Sequence, residues 1–196
     1  MKSTLRYLAA TAGLGALLAC APSTPDNCAG LPGGGRYCLQ PSGAAAPFDA
    51  LQSVTIEAGG RRHTLIASIE SDASGIRVAA LTPFGQKLFA LAYDNTGVRL
   101  EAAPPADLRL DPTLLLALLQ LAQWPGRATA AGLAPPLRLE SEGGRRRVVD
   151  GDRVLLLIER DGQAPPYRRL RIAAPAFGYA VEVETLPADI STGTTP

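Results

Sequence analysis

The sequence predicts a mostly β domain with at least one covering helix, and three observations carry that expectation. From Leu51 to Leu186, apolar residues recur at period two in one segment after another, the pattern of strands with two distinct faces. Turn sequences rich in glycine, Gly59-Gly60, Ser74-Gly75, Asp94-Asn95-Thr96-Gly97 and Asp150-Gly151-Asp152, separate those segments as hairpins require. One stretch, Thr113 to Gln123, is leucine around most of its circumference and reads as a buried helix.

At 196 residues the chain is long enough for one domain with a sizeable core, and no shift of composition divides it. Residues 1–19 read as a lipoprotein signal peptide, with Lys2 and Arg6, an apolar run from Tyr7 to Leu18, and a small residue before Cys20. The apolar run is too short for a transmembrane span, which needs about 20 residues. Leu17-Leu18-Ala19-Cys20 resembles a lipobox, which makes Cys20 the lipidated residue and the new N-terminus. Aspartate after that cysteine is the inner-membrane retention signal in the enterobacterial sorting rule. Ala21 there implies anchorage at the periplasmic face of the outer membrane. Residues 20–50 are Pro, Gly, Ala and Ser with little apolar bulk and read as a tether. Within it lie Cys28 and Cys38, which an oxidising periplasm and a bendable loop favour as a disulfide. Zinc is disfavoured, since two thiols leave it short of ligands and the single histidine, His63, is distant in sequence.

The domain is expected over residues 51–186. Val54 and Ile56 share one strand face, and Leu65, Ala67 and Ile69 alternate with Ile66, Ser68 and Glu70 in the next strand. Ile76, Val78 and Ala80 follow, then Phe89, Leu91 and Tyr93 opposite Leu88, Ala90 and Ala92, then Val98 and Leu100. This is an antiparallel meander. Strands apolar on both faces imply either a sheet covered on each side or a concave side reserved for an apolar guest. Asp111 is a good N-cap, Pro112 suits the first helical position, and Leu110 is placed to staple onto Leu115. Gln120 and Gln123 mark a narrow polar side of the helix, which Trp124-Pro125-Gly126 ends. After a loop containing Pro135-Pro136, strands resume with Leu137 and Leu139, Val148-Val149 and Val154 to Ile158. The last two strands, around Leu170 and Ile172 and from Phe177 to Val183, each carry one charged face. Residues 187–196 read as a flexible tail.

Between the third and fourth strands of the meander, Pro83 and Gly85 bracket a tight connection with Phe84 at its tip. A solvated phenyl ring forgoes about 1.5 to 3 kcal/mol of burial. Either it folds back onto its own domain or it meets a membrane or an apolar ligand. Removal of Lys2 and Arg6 with the leader takes 19 basic side chains to 17, against 18 acidic, which removes the electrostatic basis for nucleic-acid binding. A single histidine and the lack of a Gly-x-Ser-x-Gly elbow leave hydrolytic triads without support, so the protein is expected not to be an enzyme and to need no cofactor or metal. Asp150 and Asp152 fit a hairpin turn better than a calcium loop. Arg145-Arg146-Arg147 reads as a solvated face, with contact to lipid phosphates as the alternative.

The run LTPFGQKLFALAYDNTGVRLE, followed by an apolar helix ending in Trp124-Pro125-Gly126, resembles an uncharacterised family of bacterial lipoproteins related to the outer-membrane lipoprotein receptor LolB. The resemblance covers roughly Ser53 to Leu186. It implies a LolA/LolB-like incomplete antiparallel β-barrel, capped by helices, whose apolar concave side holds acyl chains. In LolB-like proteins the matching segment reads Asn-Pro-Leu-Gly, and its exposed leucine delivers lipoproteins to the outer membrane. Phe84 stands at that leucine and Thr82 at the asparagine. Phe89, Leu91, Leu118, Leu121 and Trp124 become candidate cavity-lining residues, though the pattern suits ordinary core equally. The implied partners are an acyl lipid or lipoprotein cargo, the outer membrane and a periplasmic carrier protein. Family members often accompany genes for aryl polyene lipids, which suggests a cargo class. The competing expectation is a structural or assembly lipoprotein with a filled core and a protein partner.

Overall fold

The computed structural model describes residues 27–102 and 111–187. The signal peptide, Cys20, tether residues 20–26, Leu110 and the tail from residue 188 onward lie outside the described residues.

The elements in chain order are β1 (Cys28–Gly30), β2 (Arg36–Cys38), β3 (Phe48–Ala58), β4 (Arg61–Asp72), β5 (Gly75–Leu81), β6 (Lys87–Tyr93), β7 (Val98–Ala102), α1 (Pro112–Gln123), α2 (Gly126–Gly132), β8 (Arg138–Glu142), β9 (Arg145–Asp150), β10 (Arg153–Asp161), β11 (Arg169–Ala174) and β12 (Tyr179–Thr185). Ten strands form one antiparallel sheet in the order β7-β6-β5-β4-β3-β12-β11-β10-β9-β8, while β1 and β2 pair as a separate hairpin. The large sheet is two five-stranded meanders joined where β3 pairs with β12. It does not close, so β7 and β8 are its two edges.

Period-two alternation sorts the side chains onto two faces. Ile158, Ile172, Val181 and Ile56 align across β10, β11, β12 and β3, and all four are buried. One residue along, Glu159, Arg171, Glu182 and Thr55 align in the same way on the opposite face. The inner face is therefore aliphatic, and the outer face of this half carries a ladder of alternating charge. Arg145 and Arg171 pair with Glu159, Arg147 with Glu140 and Arg169 with Glu184.

The chain leaves one edge at β7 and re-enters at the other with β8, and α1 and α2 occupy that connection. Asp111 caps α1 by accepting from the amides of Thr113 and Leu114 at 2.9 and 3.3 Å, and Pro112 opens the helix. The helix α2 carries no apolar period in its Gly-Arg-Ala-Thr-Ala-Ala-Gly sequence, so periodicity alone does not predict it. It is held locally, with the amide of Thr129 donating to the Pro125 carbonyl at 3.0 Å and its hydroxyl to the same oxygen at 3.2 Å.

The expected tether is the main correction. Residues 27–47 fold onto the domain, with Tyr37 fully buried and Ala29, Leu31 and Leu39 joining the core. Few anchors suffice because each is used fully. The Tyr37 hydroxyl donates to Gln120 Oε1 at 3.1 Å, the Gln40 amide donates to the same oxygen at 2.8 Å, and Gln120 Nε2 donates to the Gln40 carbonyl at 2.8 Å. Gln120 and Gln123 thus mark no solvated side of α1, since both are buried. Gln120 faces the hairpin. Gly132 lets the Tyr37 ring lie against the chain, since a Cβ there would stand 2.5 Å from the ring. Cys28 and Cys38 are joined, which closes the hairpin that carries Tyr37 inward.

Because that disulfide stabilises a segment of the core, its removal should be felt by the whole domain. Replacing both Cys28 and Cys38 with serine should cost about 2–3 kcal/mol and lower Tm by roughly 5–10 °C in calorimetry. A Tm unchanged by the double substitution would show that the hairpin is held without it.

Candidate functional site

The inner face of the sheet and α1 do not meet everywhere. Between them lies an apolar cavity of about 100 Å³, lined from α1 by Leu115, Leu118, Leu119 and Ala122. Its sheet wall comes from β3, β4, β5, β6, β11 and β12, with Gln52 and Tyr179 the only polar side chains. The space is left by small residues. Ala67 and Ala80 are neighbours in register on β4 and β5, and Ala80 is in turn opposite Phe89 on β6. Val54, Leu115, Leu119 and Val183 are only half-buried, so the cavity reaches the surface. Burial pushes the Tyr179 phenol up to about 12, which keeps it neutral beside the hydrocarbon. Gln52 is satisfied by donating to the Thr185 hydroxyl at 3.0 Å.

Of the five residues expected to line a cavity, Phe89 and Leu118 do so. Leu91, Leu121 and Trp124 do not line it. They are fully buried core, with Trp124 edge-on to Phe48 at 6.4 Å between centroids. Sequence reasoning favoured the largest side chains, whereas a cavity is made where side chains are small. Paired alanines in alternating strands were the available signal.

Phe84 projects from the β5–β6 connection and is 94% exposed, so it does not fold back onto its own domain. The turn explains why it is held out. The amide of Gly85 donates to the Thr82 carbonyl at 2.9 Å, the Thr82 amide donates to the Gln86 carbonyl at 2.8 Å, and Gly85 has φ +84°, a value glycine adopts without strain. Pro83 fixes the preceding φ, and the Thr82 hydroxyl accepts from the amide of Gln86 at 3.1 Å.

Residues 49–187 match the model of a family described as Protein of unknown function (DUF3261). The chain belongs to the DUF3261 family. No curated protein matches it. The matched segment of this DUF3261 protein holds both helices and nearly all of the large sheet, but not the disulfide hairpin that completes its core.

The arginine run of this DUF3261 protein is not one patch. Alternation along β9 places Arg145 and Arg147 outward, each in an ion pair, and turns Arg146 inward to 4% exposure. Arg146 Nη1 donates to the Leu121 carbonyl at 2.9 Å, near the C-terminal end of α1, where a cation is favoured. Burial and the nearby Arg160 hold its pKa down, to about 10, so it stays charged at neutral pH. His63 is half-buried opposite Ile56 at the start of β4. Asp150, Gly151 and Asp152 form the β9–β10 turn, with Gly151 at φ +58°. Among the described residues no cluster of His, Cys, Asp and Glu could hold a metal ion, and no helix is long and apolar enough to cross a membrane.

Filling the cavity should stabilise the domain. Ala67→Leu adds hydrocarbon where the lining lacks partner atoms, and the gain should be on the order of 1 kcal/mol, read as a higher denaturant midpoint at unchanged m. A lower midpoint would mean that the cavity cannot accept a larger side chain.

Proposed function

We propose that this protein is a noncatalytic lipoprotein of the outer membrane, anchored through Cys20 at the periplasmic face, that binds the acyl chains of a lipid or lipoprotein and helps their transfer to or insertion into that membrane. The observation that carries this reading is the cavity, whose lining is hydrocarbon apart from Gln52 and Tyr179. Such a lining favours a guest that offers only methylene groups. A LolB-like incomplete barrel with α1 as its cover is the fold that goes with it.

The size of the cavity defines how loading must work. About 100 Å³ is smaller than the engineered cavity of about 150 Å³ that admits benzene, so a long acyl chain enters only if α1 lifts from the sheet. That movement exposes the leucines of α1 and the inner strands, a cost that the entering chain offsets by covering the same surface. Phe84 supplies the second half of the activity. Its ring stands clear of the domain and can enter the acyl region of a bilayer, bringing the loaded protein against the membrane that receives the cargo. A periplasmic carrier protein would deliver the cargo.

The same small volume favours a second reading, in which the interior is a filled core and the protein is a structural or assembly lipoprotein that binds a protein partner. Lipid content separates the two. Protein secreted to the periplasm without its lipid anchor and purified without detergent should carry acyl lipid at near-stoichiometric amounts by mass spectrometry, and Ala67→Leu should lose it. Lipid-free native protein that also fails to take up acyl lipid from vesicles would favour the filled core.

Phe84→Glu tests the transfer step. A surface substitution of this kind should change stability by less than about 0.5 kcal/mol and leave acyl binding intact, while transfer to outer-membrane vesicles collapses. A variant that transfers normally would remove Phe84 from the mechanism.

A further inference from the structure

Arg146 and Arg160 are the two arginines of β9–β11 that face inward. Arg146 lies opposite Ile158 on β10, and Arg160, two residues farther along, shares the facing of Ile158. Every other arginine of these three strands has an acidic partner: Arg145 and Arg171 have Glu159, Arg147 has Glu140, Arg153 has Asp150, and Arg169 has Glu184. Arg146 and Arg160 have none among the described residues. Arg146 Nη1 donates to the Leu121 carbonyl at 2.9 Å and to the Thr129 hydroxyl at 3.5 Å. Arg160 Nη1 donates to the Tyr167 hydroxyl at 3.0 Å, with the guanidinium 4.9 Å from the centroid of that ring. The Nε atoms of both arginines are buried and without a hydrogen-bond partner.

Neither arginine lines the cavity itself, but residues next to both do. Arg160 is opposite Leu170, Ile158 is opposite Ile172, and both Leu170 and Ile172 line the cavity, as does Ala122, the residue after Leu121 in α1. Two neighbouring cations on an apolar face repel one another and leave donors unmet, and the negative end of α1 compensates only in part. An anion meets both needs at once, because a carboxylate or phosphate accepts from several guanidinium N–H groups.

We propose that Arg146 and Arg160 receive the anionic head group, carboxylate or phosphate, of an acyl ligand whose chain occupies the cavity beside them. The proposal rests on the acyl-binding reading and narrows it, since the ester- and amide-linked chains of a lipoprotein bring no anion to this position. The cargo is then an acidic single-chain lipid. Its head group enters by the same displacement of α1 that admits the chain.

The test uses the full chain carrying Cys20→Ala, so that its own acyl chains are absent, with bound cis-parinaric acid as a fluorescent probe. Oleate, oleyl phosphate and methyl oleate are compared as displacers. Oleate or oleyl phosphate should displace the probe at about 10- to 100-fold lower concentration than methyl oleate, the ratio that charge-assisted hydrogen bonds supply. The stronger of the two acids identifies the head group. Arg160→Gln is the informative variant, because Arg160 is only half-buried and its loss spares the contact between Arg146 and α1. It should weaken the favoured acid about tenfold and leave methyl oleate unchanged. Equal displacement by all three lipids in the parent protein, or equal weakening of all three by Arg160→Gln, overturns the head-group site while acyl binding stands. Failure of the probe to bind at all overturns the acyl-binding reading, and this proposal with it.

Discussion

An open sheet whose two edges are consecutive in sequence sets the terms for the rest of the molecule. The strands β7 and β8 lie at opposite ends of ten, so the segment between them has to travel from one edge to the other. That segment contains α1, whose leucines cannot remain in water around most of a helix. The inner face of the sheet is the apolar surface available to it. Covering by α1, and the imperfect fit that leaves the cavity, both follow from this arrangement.

The polar contacts are concentrated where α1 needs to be fixed. One glutamine, Gln120, bonds both backbone groups of Gln40 and the Tyr37 hydroxyl, and one arginine, Arg146, bonds the Leu121 carbonyl. Both lie in the second half of the helix. On the N-terminal side of Gln120, Leu115, Leu118 and Leu119 meet the sheet through hydrocarbon and line the cavity. A helix anchored by directional bonds toward one end and by nonspecific contact toward the other is suited to tilt away from the sheet without leaving it, which is the motion that the proposed acyl loading requires.

The two faces of the sheet treat charge in opposite ways. Outside, arginines and acids alternate between neighbouring strands and neutralise one another, a surface with little long-range field. Inside, Arg146 and Arg160 have no acidic partner among the described residues, and their Nε atoms are buried without a hydrogen bond. Surface ion pairs of this exposed kind contribute little to stability, and under the head-group proposal the functional weight of charge falls on the inner pair.

Much of the β architecture was determined by the sequence itself, because period-two alternation and turn chemistry are local properties. The hairpins at Gly59-Gly60, Ser74-Gly75 and Asp94–Gly97, the Asp111 cap and the place of Phe84 at a turn tip each depend on a few adjacent residues, whereas only the tertiary structure decides that the Phe84 ring does not fold back onto the domain. Tertiary structure decided what depends on distant partners. Cys28 to Leu39 looked too poor in apolar bulk to fold, yet Tyr37 finds Gln120 and Gly132 across 80 or more residues of chain. Leu91, Leu121 and Trp124 carried the same apolar signal as Phe89 and Leu118, but only the register of the sheet and the seat of α1 separate packed core from cavity wall. The run Arg145-Arg146-Arg147 shows the reason most directly. Composition gives three equal charges, and a pleated strand in a sheet with one covered face sends two of them to water and one to the interior.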